Sequence, residues 1–306
     1  MGAYVLRRLL WAVVVLWAIV TVTFGATFLS PIDPAKAYAG LRATEDQVQA
    51  VRERFGLDDP LHVQYARYLG RLAQGDLGTS YQFGLPVREA IFARLPATAI
   101  LALAAIAVQL ALGIPLGLAA ALRRRQPLDR VVLVFSLLGV VTPSFVVGFL
   151  LLYFFAFRLG WFPLGGREGP ASLVLPALTL GIAGAAWYAR MLRSTVLNIL
   201  SEDYVRTARA KGLGERRVVG AHVMRNALNP IITMVALDLG VFLGGVLVIE
   251  RVFAWPGIGL QAWQAIEFND IPMILGTVTV AAACITLLNL AADLLNAALD
   301  VRIRHA

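Results

Sequence analysis

Six long runs of apolar residues limit the fold of this chain more than any other feature. The hydrocarbon core of a bilayer is ~30 Å thick, and a helix needs about 20 consecutive apolar residues to cross it. Six segments reach or approach that length: residues 9–29, 95–122, 131–157, 169–189, 230–249 and 271–292. The composition agrees, because 59% of the 306 residues are hydrophobic and only 15% are charged. The sequence therefore predicts an all-α, polytopic membrane protein with six transmembrane helices.

The first run could instead be a cleaved secretory signal, because Arg7 and Arg8 precede it and the small residues Ala37 and Ala39 follow it. Its apolar core is longer than the roughly 7 to 15 residues usual in a signal peptide. Five further apolar runs come after it. We therefore interpret the run as an uncleaved span, and we assign residues 1–29 to an N-terminal segment with the first transmembrane helix.

The basic residues predict an orientation, since Lys and Arg near the ends of spans tend to stay in the cytoplasm. Sixteen of the 27 Lys and Arg residues fall on the side that holds both termini, and three fall in the two short loops of the other side. The remaining eight lie in the long segment after the first run, where the rule has little force. Both termini are predicted to be cytoplasmic. Membrane insertion and attraction to anionic lipid account for the net charge of +8, so nucleic-acid binding is not needed to explain it.

Cysteine and histidine indicate neither a disulfide framework nor a metal site. Cys284 is the single cysteine and lies inside the sixth apolar run. His62, His222 and His305 are far apart in the sequence and fall on different sides of the membrane in this topology. No metal or cofactor is expected.

Residues 30–94 are predicted to form a small helical module outside the membrane. Thr44 and Gln47 have the spacing of a capping box, and Gly56 is placed to end the helix that follows. A second helix is expected from Leu61 to near Gly75. Its apolar face has two interpretations: packing on the membrane core, or contact with an external protein that delivers substrate.

The polar segment at 193–229 is longer than a connection between two membrane helices requires. Asp203 or Ser201 can cap a first helix that runs to Lys211, and Gly212 and Gly214 break it before a second, amphipathic helix. Small residues on the first helix, Thr207, Ala208 and Ala210, would let another protein approach closely. The segment is predicted to be a docking surface for a soluble partner, although a basic helix lying on lipid headgroups has the same composition.

Polar residues inside the apolar runs are candidates for a path across the membrane. Asp238 is the first, because a carboxylate in the bilayer must be paired or hydrated; it either faces the path or makes a structural bond inside the bundle. Gln109 and Asn289 are further candidates, whereas Asp293, near the cytoplasmic end, could pair with Arg302. Pro143 is predicted to bend the third span and to free a carbonyl that can line a cavity.

The motifs together resemble a known family. The run from 203 to 213 followed by Arg225-Asn226-Ala227-Leu228-Asn229-Pro230 resembles the cytoplasmic EAA loop of ABC importer permeases. The whole chain resembles the B-type permease subunit of the dipeptide, oligopeptide, glutathione and nickel importers. The other matching motifs are Tyr4 with Arg7-Arg8-Leu9, Asp33-Pro34, Leu57-Asp58-Asp59-Pro60, Gly75-Asp76-Leu77-Gly78, Arg94-Leu95-Pro96-Ala97-Thr98, Pro143 with Phe145 and Gly148, Leu175-Pro176, Glu250-Arg251-Val252-Phe253-Ala254-Trp255-Pro256-Gly257-Ile258-Gly259, and Ala297-Ala298-Leu299-Asp300 with Arg302-Ile303-Arg304. Ile32, Asn229 and Val301 depart from the usual pattern.

This resemblance implies the type I ABC importer fold in the cytoplasmic membrane of a bacterium or archaeon. Residues 95–306 would be the permease core, which pairs with a related C-type permease above two P-loop ATPases and receives substrate from an extracytoplasmic binding protein. The docking residues would be Asp203, Tyr204, Thr207, Ala208, Lys211 and Gly212, with Gly212 setting the angle between the two cytoplasmic helices. Peptide is the most common cargo of the family, and glutathione or nickel are the alternatives.

The chain itself has no nucleotide-binding motif. A P-loop needs Gly-Lys followed by Ser or Thr, and neither of the two lysines, Lys36 and Lys211, fits this pattern. We therefore expect a transport subunit without catalytic residues, with ATP hydrolysis in its partners. Two rival classes are an ion-coupled secondary transporter that uses Asp238 and an intramembrane enzyme. Neither an inverted repeat of broken helices nor a His-Glu-x-x-His or Gly-x-Ser-x-Gly pattern is present to favour them.

Overall fold

A computed structural model describes residues 2–28, 33–40 and 43–299 of the chain. Helices make up nearly all of the regular structure in these residues, which confirms the predicted all-α class. In chain order the helices are α1 (Gly2–Phe28), α2 (Pro34–Ala39), α3 (Glu45–Phe55), α4 (Leu61–Ala73), α5 (Val87–Leu122), α6 (Pro127–Val141), α7 (Ser144–Leu151), α8 (Pro170–Leu200), α9 (Asp203–Ala210), α10 (Glu215–Arg217), α11 (Arg225–Ala227), α12 (Asn229–Leu243), α13 (Leu247–Val252), α14 (Ile258–Glu267) and α15 (Ile271–Leu299). Two π-helical segments, Leu152–Arg158 and Val218–Met224, follow α7 and α10.

Four helical stretches are long and apolar enough to cross a membrane unaided: Val5–Phe28, Val87–Leu122, Pro170–Leu200 and Ile271–Leu294. Two bent pairs of helices raise the number to as many as six, in agreement with the six predicted runs. The first bent pair lies at the predicted third span, where Pro143 predicts a bend. The second joins Glu215–Ala227, in the predicted polar segment, to Asn229–Leu243 of the predicted fifth span at 44°.

The third span is broken at Pro143. Helix α6 ends at Val141, and the next helical stretch, Ser144–Arg158, departs from it at 103°. Proline has no N–H to continue the ladder and disfavours helical geometry in the residue before it, here Thr142, which is extended with ψ of 120°. The predicted bend is therefore a break at which the helix axis turns by 103°.

The fifth span is shorter than residues 230–249. Helix α12 ends at Leu243, and Gly245 has a φ of 102°, a conformation that residues with a Cβ rarely adopt. A short helix, α13, resumes at Leu247 and carries the chain into the turn before α14. The apolar run continued past the real end of the helix because the first three residues of α13, 247–249, are also apolar.

The chain divides into two compact units. The first comprises Met1–Ala99, Gly240–Arg251 and Pro256–Ala306, and the second comprises Ile100–Leu239 and Val252–Trp255. Within the first unit, α15 packs along α1 and against α14.

The helices that precede α5 in the first unit follow their sequence signals. Thr44 and Gln47 form the predicted capping box of α3, and Gly56 ends that helix with a φ of 61°. The apolar face of α4 packs on the membrane helices: Tyr68 is buried against Phe24 of α1, and its hydroxyl lies 3.1 Å from that of Thr279 in α15. The structure thus shows the first of the two interpretations of this face, packing on the membrane core.

The second unit is built around α8, which packs against α6 and α7. Close approach of α5 to α8 depends on two glycines of α5 spaced four residues apart. A Cβ at Gly113 would lie 2.6 Å from the Cβ of Tyr188, and one at Gly117 would lie 2.6 Å from the carbonyl oxygen of Ala189. Small residues at this spacing are a common means of bringing membrane helices together.

Candidate docking hairpin and buried polar sites

A helical hairpin, which we call the docking hairpin and define as residues 203–227, follows directly after α8. Helix α9 ends at Ala210, and Gly212 turns the chain with a φ of 77° before α10 begins at Glu215. The predicted break at Gly212 and Gly214 is confirmed. A residue with a Cβ would be strained at Gly212, although no neighbouring atom lies within 4 Å of the position that its Cβ would take.

Side chains cross-link the two arms of the docking hairpin. Arg209 donates two hydrogen bonds to Glu215, of 3.1 and 2.7 Å, across the glycine turn. Near the other end of α9, the Asn226 amide donates to the Tyr204 hydroxyl at 2.9 Å. The two arms are therefore joined by side-chain hydrogen bonds near both ends of α9.

The cap of α9 differs from the prediction. Glu202, and neither Ser201 nor Asp203, occupies the N-cap position, and its side chain makes no capping hydrogen bond. Ser201 donates instead to the carbonyl of Asn198, and Asp203 pairs with Arg206 at 2.6 Å. Because α8 runs to Leu200, only a two-residue turn separates it from α9.

Ala208 lies on the inner face of α9. It is only 5% exposed and packs with Val205 into a core that also contains residues of α8 and the second arm, among them Leu192, Val196, Val218 and Val223. The expectation that Ala208 offers a small contact to another protein is therefore wrong for this surface, since its small size serves packing inside the chain. The outer face carries Asp203, Tyr204, Thr207, Ala210, Lys211 and Gly212, all of them exposed.

Two of the predicted polar candidates, Asp238 and Gln109, come together in the second unit. The Tyr188 hydroxyl of α8 donates to Asp238 Oδ2 of α12 at 2.8 Å, and the Gln109 side chain of α5 interacts electrostatically with that carboxylate. None of the six ion pairs found among the described residues includes Asp238. We call these three residues the polar triad. Sequence reasoning missed Tyr188, although its hydroxyl lies inside an apolar run.

Gln109 is tightly packed, and one of its polar atoms lacks a hydrogen-bond partner. Its side chain is 2% exposed, and its Oε1 atom has no hydrogen-bond donor among the described residues. A buried acceptor without a donor costs about 1–3 kcal/mol. Gly184 of α8 makes room for the amide, since a Cβ there would lie 1.9 Å from Gln109 Nε2.

The remaining candidates lie elsewhere. Pro143 lies within the break as the N-cap residue of α7. Asn289 of α15 faces Gly240, where a Cβ would lie 3.4 Å from the Asn289 Oδ1 atom. Asp293 pairs with Arg8 at 2.7 Å. Its suggested partner, Arg302, is outside the described residues.

Sequence reasoning assigned no role to Glu250, which is the most buried acidic residue among those that the structure describes in the first unit. Its side chain is 0% exposed, and its oxygens accept from the Thr98 hydroxyl and the Leu260 N–H, both at 2.8 Å. The Thr98 hydroxyl oxygen accepts in turn from Ile258 N–H at 2.9 Å. Glu250 thus fixes the turn that contains Gly257. Its position at the start of a glycine-containing motif was the available signal.

A second carboxylate, Asp129, was also missed. Asp129 Oδ1 accepts from Arg193 Nε at 2.5 Å, and Oδ2 accepts from the Arg193 guanidinium at 2.9 Å and the Arg125 N–H at 2.8 Å. The carboxylate side chain is 4% exposed. This pair joins the first turn of α6 to α8.

Comparison with known proteins identifies the family. Residues 113–305 match the family described as the binding-protein-dependent transport system inner membrane component, and residues 1–102 match the N-terminal family of the same membrane components. The chain belongs to this family. It is a multi-pass permease subunit of an ABC importer in the bacterial inner membrane, and not a catalytic subunit.

Relatives match along nearly the whole chain. The chain is 40% identical to the glutathione transport system permease protein of Salmonella paratyphi A over 302 residues, which cover 99% of each chain. It is 40% identical over 314 residues, 98% of each chain, to a peptide permease protein of Brucella suis.

Solved structures show the same fold. Two inward-facing forms of the MetNI methionine ABC transporter match with TM-scores of 0.57 and 0.59, at 17% and 19% identity. The matches cover 69% and 70% of this chain and 96% and 97% of the solved chains. The expected type I importer fold is therefore confirmed.

Proposed function

We propose that this chain forms half of the path by which an ATP-driven importer moves small peptides, glutathione included, into the cell. The observation that carries this proposal is the end-to-end similarity, at 40% identity, to a glutathione permease and to a peptide permease. The related C-type permease would supply the other half of the path. An extracytoplasmic binding protein would deliver the substrate, and two P-loop ATPases would supply the energy.

We propose further that the docking hairpin receives an ATPase. The outer face of α9 would make the contact through Asp203, Tyr204, Thr207 and Lys211, with Gly212 setting the angle of the hairpin. Ala208 would support that face from beneath, because it is buried behind it. This arrangement requires the hairpin, and with it both termini, to be cytoplasmic. The cross-links between its arms suit a part that must pass movement to α8 without bending.

The path itself is proposed to run past the polar candidates of the spans. Asp238 and Gln109 would present oxygen atoms to it, the break at Pro143 would free backbone carbonyls, and Asn289 would contribute an amide. Polar side chains in membrane helices rarely face lipid, since burying them without partners or water is costly. Irregular backbone at membrane depth is likewise tolerated where it lines a cavity.

Purification of the tagged chain from its native membranes tests the proposal. We expect the wild type to retain a second six-span permease and a P-loop ATPase. Lys211→Glu should lose the ATPase but keep the permease, because it reverses one exposed charge without touching the core. Lys36→Glu is the matched control, since it makes the same change on α2, outside the docking hairpin, and should retain both partners.

Uptake completes the test. Membrane vesicles that contain the complete transporter should accumulate labelled glutathione or dialanine only when ATP is present, and Lys211→Glu should abolish that accumulation. A chain that purifies alone and accumulates substrate with an ion gradient but no ATP would contradict the proposal. That result would favour an ion-coupled carrier that uses Asp238.

A further inference from the structure

The polar triad has more acceptors than donors. The Asp238 carboxylate accepts a hydrogen bond from the Tyr188 hydroxyl at 2.8 Å and interacts electrostatically with the Gln109 side chain, but it belongs to none of the ion pairs found among the described residues. A carboxylate in a membrane helix is costly unless a positive charge or water compensates it. The Gln109 Oε1 atom, buried and without a donor, is a further acceptor in the same group of side chains.

The glycine opposite Gln109 indicates that the amide is built into this place. Gly184 leaves no room for a Cβ, so α8 approaches α5 at the point where the amide meets the carboxylate. An apolar residue in place of Gln109 would avoid the unsatisfied oxygen altogether. The group therefore combines an acceptor that has no donor among the described residues with a carboxylate that belongs to none of the described ion pairs.

These features suit an ammonium group better than a metal ion. A primary ammonium carries three N–H donors, and the triad offers three acceptors: the Asp238 carboxylate, Gln109 Oε1 and the Tyr188 hydroxyl oxygen. No cluster of three or more His, Cys, Asp or Glu residues able to hold a metal occurs in the described part of the chain. Imidazole nitrogen is a ligand that suits nickel, and the triad contains no histidine.

We propose that Asp238, Tyr188 and Gln109 form a binding site for the primary ammonium group of the transported molecule. The inference rests on the proposed function, since it assigns to the path a contact that distinguishes free amines from blocked ones. Small peptides and glutathione carry such a group. Asp238 supplies the charge, and Tyr188 and Gln109 hold the carboxylate and complete the set of acceptors.

The test measures binding to the purified complete transporter without its external binding protein, so that selection upstream does not interfere. Thermal unfolding is followed while dialanine, N-acetyl-dialanine or dialanine amide is added in rising concentration. We expect dialanine and its amide to stabilise the wild type and the acetylated peptide to fail. Asp238→Asn should weaken the apparent affinity for dialanine roughly tenfold or more, because a charge-assisted hydrogen bond is lost.

Two further variants separate binding from packing. Tyr188→Phe keeps the ring and removes the hydroxyl, and Gln109→Met keeps the approximate volume and removes the orphan oxygen. Both should weaken dialanine binding several-fold. If Gln109→Met only raises the unfolding temperature and leaves the affinity unchanged, the amide has a structural role and the proposal fails. Asp293→Asn is the control for removal of a membrane carboxylate, since Arg8 already compensates that group, and it should bind dialanine as the wild type does.

The remaining outcomes are distinct. If the acetylated and free peptides act alike, and Asp238→Asn releases the second permease, then Asp238 binds a cation of that partner and the proposal is overturned. If ATP-dependent uptake and all affinities are normal in Asp238→Asn, the ammonium site is wrong while the proposed function stands. If the wild type retains no ATPase in the purification, the proposed function has failed first.

Discussion

Glu250 shows how one buried side chain organises a turn of the first unit. Burial raises the pKa of its carboxyl, against the opposing effect of the hydrogen bonds from Leu260 and Thr98. The folded unit therefore binds a proton more tightly than the unfolded chain, whose glutamate has a pKa near 4.5. This contribution to the free energy of unfolding is fully present below that value and is lost as the pH rises through the folded-state pKa.

We expect Glu250→Gln to reduce the fall in unfolding temperature between pH 4.5 and the neutral range, because the variant has no proton to release there. The measurement is a series of thermal unfolding curves of the purified transporter across this range. Parallel pH profiles for the two proteins would contradict the assignment.

Gly257 is the neighbour that makes this burial possible. A Cβ at Gly257 would lie 2.2 Å from Glu250 Oε1, a separation that no real contact allows. We expect Gly257→Ala to lower the free energy of unfolding by about 1–3 kcal/mol, as overpacking in a core does. Denaturation of the purified transporter measures the change. Gly70→Ala is the control, since nothing lies within 4 Å of its new Cβ and alanine favours the α4 helix; an equal loss in both variants would count against the clash.

At the scale of an element, the docking hairpin depends on the backbone at Gly212. A valine there must adopt a φ near 77°, at a cost of about 1–2 kcal/mol, or change the angle between the arms. We expect a complete transporter that contains Gly212→Val to hydrolyse ATP without accumulating substrate. The measurement is the ratio of substrate uptake to ATP hydrolysis in vesicles. Gly212→Asn should retain more of that ratio, because asparagine tolerates this conformation.

The control for this element is Gly214→Ala, a position with φ of −61° that alanine adopts without strain. Its ratio of uptake to ATP hydrolysis should match that of the wild type. Normal transport by Gly212→Val would show that the turn angle is not needed for coupling.

Ala208→Glu answers a different question, since a charge at this buried position should unfold the hairpin and so cannot report on docking alone.

Local sequence signals predicted where helices begin and end, whereas the features that the sequence did not reveal depend on contacts between distant residues. The capping box at Thr44 and the glycine break at Gly212 are short-range devices, so the sequence alone revealed them. The 103° break at Pro143 was underestimated because a proline signals a bend without fixing its size. Tyr188 and Glu250 were missed because their partners lie 50 and 152 residues away in sequence, and no single-sequence pattern records such contacts.

At the scale of the whole molecule, the transporter must carry movement from the docking hairpin to the broken third span. Helix α8 is the physical route within the second unit, because it enters the hairpin at one end and packs against α6 and α7. The Asp129–Arg193 pair fixes α6 to α8 on this route. We therefore expect the pair to serve coupling as well as stability.

A double-mutant cycle on this pair separates the two roles. Asp129→Leu alone leaves a largely buried guanidinium unpaired and should cost about 3–5 kcal/mol of unfolding free energy, whereas Arg193→Met leaves the carboxylate unpaired at a similar cost. The double variant replaces both charges with apolar side chains and should recover most of the stability, as buried pairs often do when exchanged for packing. Its uptake per ATP hydrolysed should remain low, because apolar contacts do not fix the direction of α6 on α8 as two parallel hydrogen bonds do. Full recovery of both unfolding temperature and uptake would confine the pair to a structural role, since a coupling element cannot be exchanged for unspecific packing.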